Sequence, residues 1–333
     1  MRVLQPWIAA SLMDELPDTD IESRSPVPPD EIGLRPLVAS LNAAADSART
    51  GWITSLGLLA YLFVAVGGIS HRDLLLNSPI KLPLLNVDVP LARFFIIAPL
   101  IVVVVHFGVL MQHAMAARKA AALNAALAEW ERVQGSSHPI RMEVSSYFFI
   151  HSLAGSDRNS LLANLSRLLS FLTLELLPLC LLTIVLTTFL PFHDRLTTWV
   201  HRIYISGDVF LSLVFGVLFR FPDHPFRVGL FQYLRARRAR FALSGATWCL
   251  VLLFVFCVAT IPDELLDRAM RSIGPLSVSV SPTAGDTNRT VFSITAYLLE
   301  GDVNEITGRS LSPFSRNLIV PDANFFFTER QIR

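Results

Sequence analysis

Four ionisable side chains fall in or beside long apolar stretches: His106, Glu175, His201 and Asp208. A charge near the centre of a bilayer is costly, so an ionisable residue there is a functional hypothesis by default. His106 sits near the middle of the run from Phe94 to Gln112. Glu175 lies about two turns into the run from Leu168 to Leu190, three residues before Pro178. A proline frees a backbone carbonyl and can kink a helix. A Glu–His pair beside such a kink could hold an ion or pass a proton. The competing reading puts Glu175 near the membrane interface, protonated or hydrogen-bonded to a neighbouring helix, because buried polar groups usually serve packing once they are satisfied.

A second group lies in PFHDRLTTWVHRIYISGD. His193, Asp194, His201 and Asp208 invite a metal reading, since Asp194, His201 and Asp208 recur every seven residues and could share one helical face. No further close ligand and no HExxH-type spacing accompanies them. Trp199, Arg202 and Tyr204 instead suit an interfacial belt. A third group, Arg235, Arg237, Arg238 and Arg240 in RARRAR, is a compact basic cluster. Anionic lipid headgroups would attract each such residue by about 1 kcal/mol. Phosphate-cradling, dinucleotide-binding, nucleophile-elbow, zincin and CxxC motifs are missing from the sequence. No cofactor, no resident metal and no catalytic residue is therefore expected.

The elements that must position these groups are apolar. Hydrophobic residues make up 52% of the 333 residues and charged residues 17%, against about 25% charge in an average globular domain. Mean hydropathy is +0.50. The net charge of +1, from 28 basic and 27 acidic residues, argues against nucleic acid as a partner. The three cysteines, Cys180, Cys249 and Cys257, all lie in apolar runs, where a thiol acts as a small hydrophobe.

Five runs are candidate spans: Ile53 to Ser70, Phe94 to Gln112, Leu168 to Leu190, Ile203 to Phe219 and Ala242 to Ile261. About 20 residues cross a bilayer. The fourth run is the weakest, because it is short and contains Asp208. Arginine density decides how it is read. The connections between runs two and three and between runs four and five are Arg-rich, and the other two are poorer. Both rich connections can face the cytoplasm only if runs three and four each cross. Five spans are expected, with the N-terminus inside and the C-terminus outside; four spans, with run four interfacial, is the alternative. No cleavable leader is expected, and the first run reads as a signal-anchor.

The expected fold class is an all-α multi-pass transmembrane bundle of about five helices with a small β-containing C-terminal appendage. Residues 1–33 are acidic and proline-rich and read as disordered. Residues 34–261 form the helical membrane domain, beginning with a short helix that leads into run one. A long helix leaves run two and is stopped by Gly135-Ser136-Ser137-His138-Pro139, within a cytoplasmic helical extension spanning 113–167. The first outer loop, from His71 to Arg93, is apolar with three prolines and no helical continuity. In residues 262–333, PLSVSVSPT and VFSITAYLL alternate apolar and polar residues and read as strands of a marginal β-rich tail.

Three blocks resemble bacterial pentapeptide-repeat membrane proteins. They are RDLLLNSPIKLPLLNVDVPLARFFIIAPLIVVVVHFGVLM, FLPFHDRLTTWVHR and GRSLSPFSRNLIVPDANFF, which lie in the family's order across most of residues 35–325. The resemblance implies several membrane helices before a right-handed β-helix of A(D/N)LXX repeats. Here only eight residues follow Ala323-Asn324-Phe325, so the chain reads as a short member without the repeats. The family supplies no catalytic residues to carry over. The leading expectation is a non-enzymatic bacterial inner-membrane scaffold or anchor. It would hold the tail or a protein partner at the bilayer, with anionic headgroups and a second copy of the chain as further partners. The alternative is an oligomeric ion channel or permeability effector built on His106, Glu175 and the loop from His193 to Arg202. A membrane enzyme using the His193/Asp194/His201 face is a third, weaker option.

Overall fold

The computed structural model describes residues 31–82, 87–156, 160–222, 227–231, 238–258, the positions 261, 264 and 268, and the short stretches 277–279 and 291–293. The structure is mostly helical. Among the described residues, four helices are long and apolar enough to cross a membrane by length and composition: Gly33–Gly67, Leu91–Gln134, Leu161–Phe192 and Arg195–Arg220.

Helix α1 (Glu31–Gly67) merges the helix expected at 34–49 with the first apolar run. A short helix α2 (His71–Leu76) follows. This corrects the expectation of a loop without helical continuity. Ser70 caps the backbone N–H of Asp73, and the Asp73 carboxylate accepts in return from the Ser70 N–H and hydroxyl. The reciprocal bonds satisfy N-terminal donors that so short a helix cannot satisfy internally. The same loop then forms a hairpin of β1 (Ile80–Leu82) and β2 (Val87–Val89).

Helix α3 (Leu91–Gln134) has 44 residues, about 66 Å at 1.5 Å per residue. That is about twice the hydrocarbon thickness, longer than one crossing needs. Gly135 ends it in the left-handed region at φ 66°, with its N–H on the Glu131 carbonyl. The 113–167 extension is not one helix. A 3₁₀ turn (Pro139–Glu143), α4 (Phe148–Ala154) and the start of α5 (Leu161–Ser170) complete it.

Helix α5 passes through a π-helical turn (Phe171–Leu176) into α6 (Leu177–Phe189). The kink expected at Pro178 is realised as this turn. Proline has no N–H for the Leu174 carbonyl and crowds it. The ladder widens by one residue, and the Leu177 N–H reaches Leu172.

Helix α7 (Arg195–Arg220) contains the weak fourth run. At 26 residues, with an arginine at each end, it is long enough to cross. Helix α8 (Arg238–Val258) carries most of the fifth run. Its Phe256 ring lies 6.1 Å from Trp199 near the start of α7, so the two helices run antiparallel.

Two cores divide the bundle. One packs Leu62, Val66, Phe95, Val102, Leu182, Phe189 and Val209 within the apolar runs. The other packs Leu41, Ala45, Ala48 of α1 against Ala117, Ala120, Leu123 of α3 and Ile150 of α4, outside them. Alanine at these positions lets α1 and α3 approach closely. Ile97, Val104, Phe107 and Phe210 face outward and are exposed. Phe149 of α4 and Phe219 at the end of α7 are 5.4 Å apart, which brings the two Arg-rich connections to one end of the bundle.

In the tail, β3 (Ser277–Ser279) pairs antiparallel with β4 (Val291–Ser293), inside the two stretches read as strands. Apart from positions 264 and 268, the remainder of the appendage and the N-terminal 30 residues lie outside the described residues.

Candidate functional site in the membrane half of the bundle

Asp208 is the fourteenth residue of α7, midway between its terminal arginines. About 18 Å of helix lies on either side. Its side chain is buried, and Oδ1 lies 2.6 Å from Nδ1 of His106 on α3, which is also buried. His106 therefore pairs with Asp208 and not, as its sequence context suggests, with Glu175. The packing of α3 beside α7 decides this. The two helices run in the same direction, as the successive contacts Phe95–His201, His106–Asp208 and Phe107–Phe215 show.

Glu175 is nevertheless close. It sits in the π-helical turn, half-buried, within electrostatic reach of both His106 and Asp208. His106 also lines a cavity of about 10 Å³ with Ser55 of α1 and Thr173, Leu174 and Pro178 at the turn. That volume suits one water molecule. The turn is tied in place by the Trp52 indole N–H, which donates to Thr173 Oγ1 at 3.1 Å.

The hydrogen-bond inventory is incomplete at this site. Among the described residues, His106 Nε2, Asp208 Oδ2 and Ser212 Oγ are buried and have no partner. With Nδ1–H donating to the carboxylate, Nε2 presents a bare lone pair. A proton arriving there makes an imidazolium whose charge the adjacent Asp208 neutralises. The arrangement is a buried His–carboxylate dyad between two apolar helices, with a second carboxylate beside it.

The His193/Asp194/His201 face does not converge. His193 is exposed and takes φ 58° to end a 3₁₀ turn. Asp194 caps α7, accepting from the Leu196 and Thr197 N–H groups and from the Thr197 hydroxyl. His201 donates from Nε2 to the Phe95 carbonyl at 2.6 Å. Residues seven apart do share a face, but each meets a different neighbour. The described residues contain no group of three such side chains placed to hold a metal. Of the basic cluster, Arg235 and Arg237 lie outside the described residues, and Arg238 and Arg240 fall in the first turn of α8. Cys180 and Cys249 are free thiols on the exposed surface.

Sequence reasoning missed the buried Arg141 and His113, and it read Arg202, which is fully buried, as part of an interfacial belt. Arg202 makes a two-pronged pair with Glu264, at 2.7 and 2.9 Å, while its guanidinium stacks 4.7 Å from the Trp199 ring. That pairing holds the Glu264 carboxyl below the usual carboxylate range. Arg141 is fully buried outside the membrane and binds Glu131, Asn124 and the Ala154 carbonyl. His113 bonds the Val109 carbonyl through Nδ1 at 2.7 Å and Tyr147 through Nε2 at 2.8 Å. The one available signal was a charged or imidazole residue embedded among apolar neighbours, as in TTWVHRIYI. No protein-family model, curated protein or solved structure matches the chain.

Proposed function

We propose that this chain is a multi-pass membrane protein that lets protons enter or cross the bilayer through the His106–Asp208 dyad. The observation that carries this reading is the dyad itself: a buried ionisable pair inside the apolar stretches of two long helices, with Nε2 and Oδ2 left unpartnered among the described residues. A purely structural pair would be expected to satisfy those atoms, because each orphan costs about 1–3 kcal/mol. The site lies inside one chain, so it needs no ring of copies. Glu175, on the neighbouring turn, is the next carboxylate a proton could reach. The test is proton uptake by proteoliposomes under a potassium diffusion potential, followed with an entrapped pH dye. Wild-type protein should acidify the lumen, and Asp208→Asn should lower the rate at least tenfold. Uptake equal to that of empty liposomes, or unchanged in Asp208→Asn, removes the proposal.

One observation favours the scaffold reading beside it. The buried Arg202–Glu264 pair fastens the chain just beyond α8 to the bundle, which would fix the start of the tail at the membrane. On that reading the tail holds a partner, and the likeness to pentapeptide-repeat membrane proteins belongs here too. Deleting residues 277–333 should then abolish a membrane-dependent interaction while leaving proton uptake intact. Loss of no interaction would remove this reading.

A further inference from the structure

Beside the dyad, α1 and α3 enclose a second, larger space. It is an open groove of about 540 Å³ lined by Asp46, Ser47, Thr50, Gly51, Gly108 and Gln112, among others. The residue types are wrong for lipid contact and right for water. Asp46 and Ser47 precede the first apolar run, so the mouth of the groove lies at the membrane surface, on the side of the bundle that carries α4. From there the groove runs toward the dyad. Thr54 lines the groove, and its neighbour Ser55 lines the small cavity at His106. Val105 and Val109 line both spaces.

Gly51 lets the Gln112 side chain pack against α1 at the edge of this groove. A Cβ at Gly51 would lie 2.2 Å from Gln112 Oε1, so any other residue would displace the Gln112 amide. That oxygen is itself buried without a partner among the described residues. The opposite end of the bundle is shut. Phe95 and Phe189 pack with ring centroids 4.7 Å apart, His201 closes on Phe189 at 5.7 Å, and His201 is bonded to the Phe95 carbonyl. Leu62, Val66 and Leu182 fill the rest.

We infer that the α1–α3 groove is a one-sided aqueous entry to His106, open at the α4 end of the bundle and closed at the other. The inference rests on the proton-handling reading and adds the direction of access. A proton carried by water along the groove binds the Nε2 lone pair. The hydronium that delivers it gives up one O–H bond and becomes water as the Nε2–H bond forms, and Asp208 remains the counter-charge. The other titratable groups around His106 are Glu175 on the π-helical turn and His113 two turns along α3. Asp46 stands at the mouth.

Cysteine accessibility tests this without reference to flux. In a background with Cys180, Cys249 and Cys257 replaced by serine, single cysteines are placed at Thr54 and Gly108. A third, at Val104, serves as the lipid-facing control, since Val104 is 60% exposed on the same stretch of α3. A membrane-impermeant trimethylammonium methanethiosulfonate is applied to sealed membrane vesicles of each orientation. Thr54→Cys and Gly108→Cys should react at least tenfold faster than Val104→Cys, and from one side only. Rates equal to the control, or equal rates from both sides, overturn the inference. Side-selective labelling without proton uptake would remove the proposed function and leave the aqueous entry standing. Uptake without labelling would do the reverse.

Discussion

His106 and His113 lie two turns apart on α3, and both are buried, yet their surroundings differ. Every nitrogen of His113 is used. Its Nδ1 donates to a carbonyl, its Nε2 accepts from Tyr147, and Phe149 packs edge-on against the ring at 4.8 Å. His106 has one charged partner and one idle nitrogen. The contrast extends to the regions the two histidines occupy. In the extramembrane half, Arg141 has three kinds of partner, and Asn42 bridges the Glu143 carbonyl and the Ser145 N–H. In the membrane half, His106, Asp208, Ser212, Tyr61 and His201 all leave an atom unpartnered among the described residues. A satisfied network rigidifies a core, whereas a half-satisfied one is costly and persists where it is used. The outer half of the molecule reads as framework and the inner half as the working part.

The sharpest way to break this contrast is to remove one charge from each half. Arg141→Ala removes the counter-charge of the Glu131 carboxylate and a donor to the Asn124 and Ala154 oxygens. It should destabilise the detergent-solubilised protein by about 3–5 kcal/mol, read as a lowered melting temperature. The double variant His106→Leu/Asp208→Leu should be neutral or stabilising, because replacing a buried ion pair by apolar residues often is, and it should lose proton uptake. If the double variant melts as early as Arg141→Ala, the dyad is framework and the contrast fails.

The Arg202–Glu264 pair is an intermediate case, a two-pronged ion pair near the start of α7. Glu264→Gln should cost about 3 kcal/mol by leaving a buried guanidinium without its counter-charge. The pH dependence has a definite sign. The folded-state pKa of Glu264 is depressed, chiefly by its bonds from Arg202. Its contribution is therefore complete above the ordinary glutamate value of about 4.3 and lost as pH falls through the lower folded value. Acid melting curves of wild type and Glu264→Gln should converge below about pH 4 and diverge above it. Parallel curves would mean that the pair contributes nothing.

Much of the frame was legible in the sequence, and the pairing inside it was not. The apolar runs and Gly135 located the long helices because length and a left-handed stop are local properties. Pro178 marked the π-helical turn for the same reason. The partner of His106 is a tertiary fact. It depends on α3 and α7 running side by side, and Asp208 lies 102 residues away. The seven-residue spacing of Asp194, His201 and Asp208 placed them on one face correctly but said nothing of what each would meet. Asp194 was readable as a helix cap, since an aspartate ahead of a helical run accepts from its first N–H groups. The Ser70–Asp73 capping box was equally present in the sequence, obscured by the three prolines that follow. Arg141 and Tyr147 gave no local sign, because their partners come from elements brought together only by the fold.

A smaller effect sharpens the comparison from the framework side. Tyr147→Phe keeps the ring packing on Trp52, Phe148 and His113 and deletes only the hydroxyl. His113 Nε2 then becomes an orphan like His106 Nε2, at about 1–2 kcal/mol. Burial also raises the Tyr147 phenol, so in the folded protein the hydroxyl stays protonated and able to donate. Its stabilisation should persist up to the ordinary tyrosine value of about 10 and fade as pH rises toward the higher folded value. The wild type should therefore lose its advantage over Tyr147→Phe in melting temperature only in strongly alkaline buffer. Proton uptake should not change, because an idle nitrogen at His113 has no carboxylate beside it to stabilise an arriving proton. If Tyr147→Phe alters uptake as well as stability, the path runs through His113 and the two histidines form one relay.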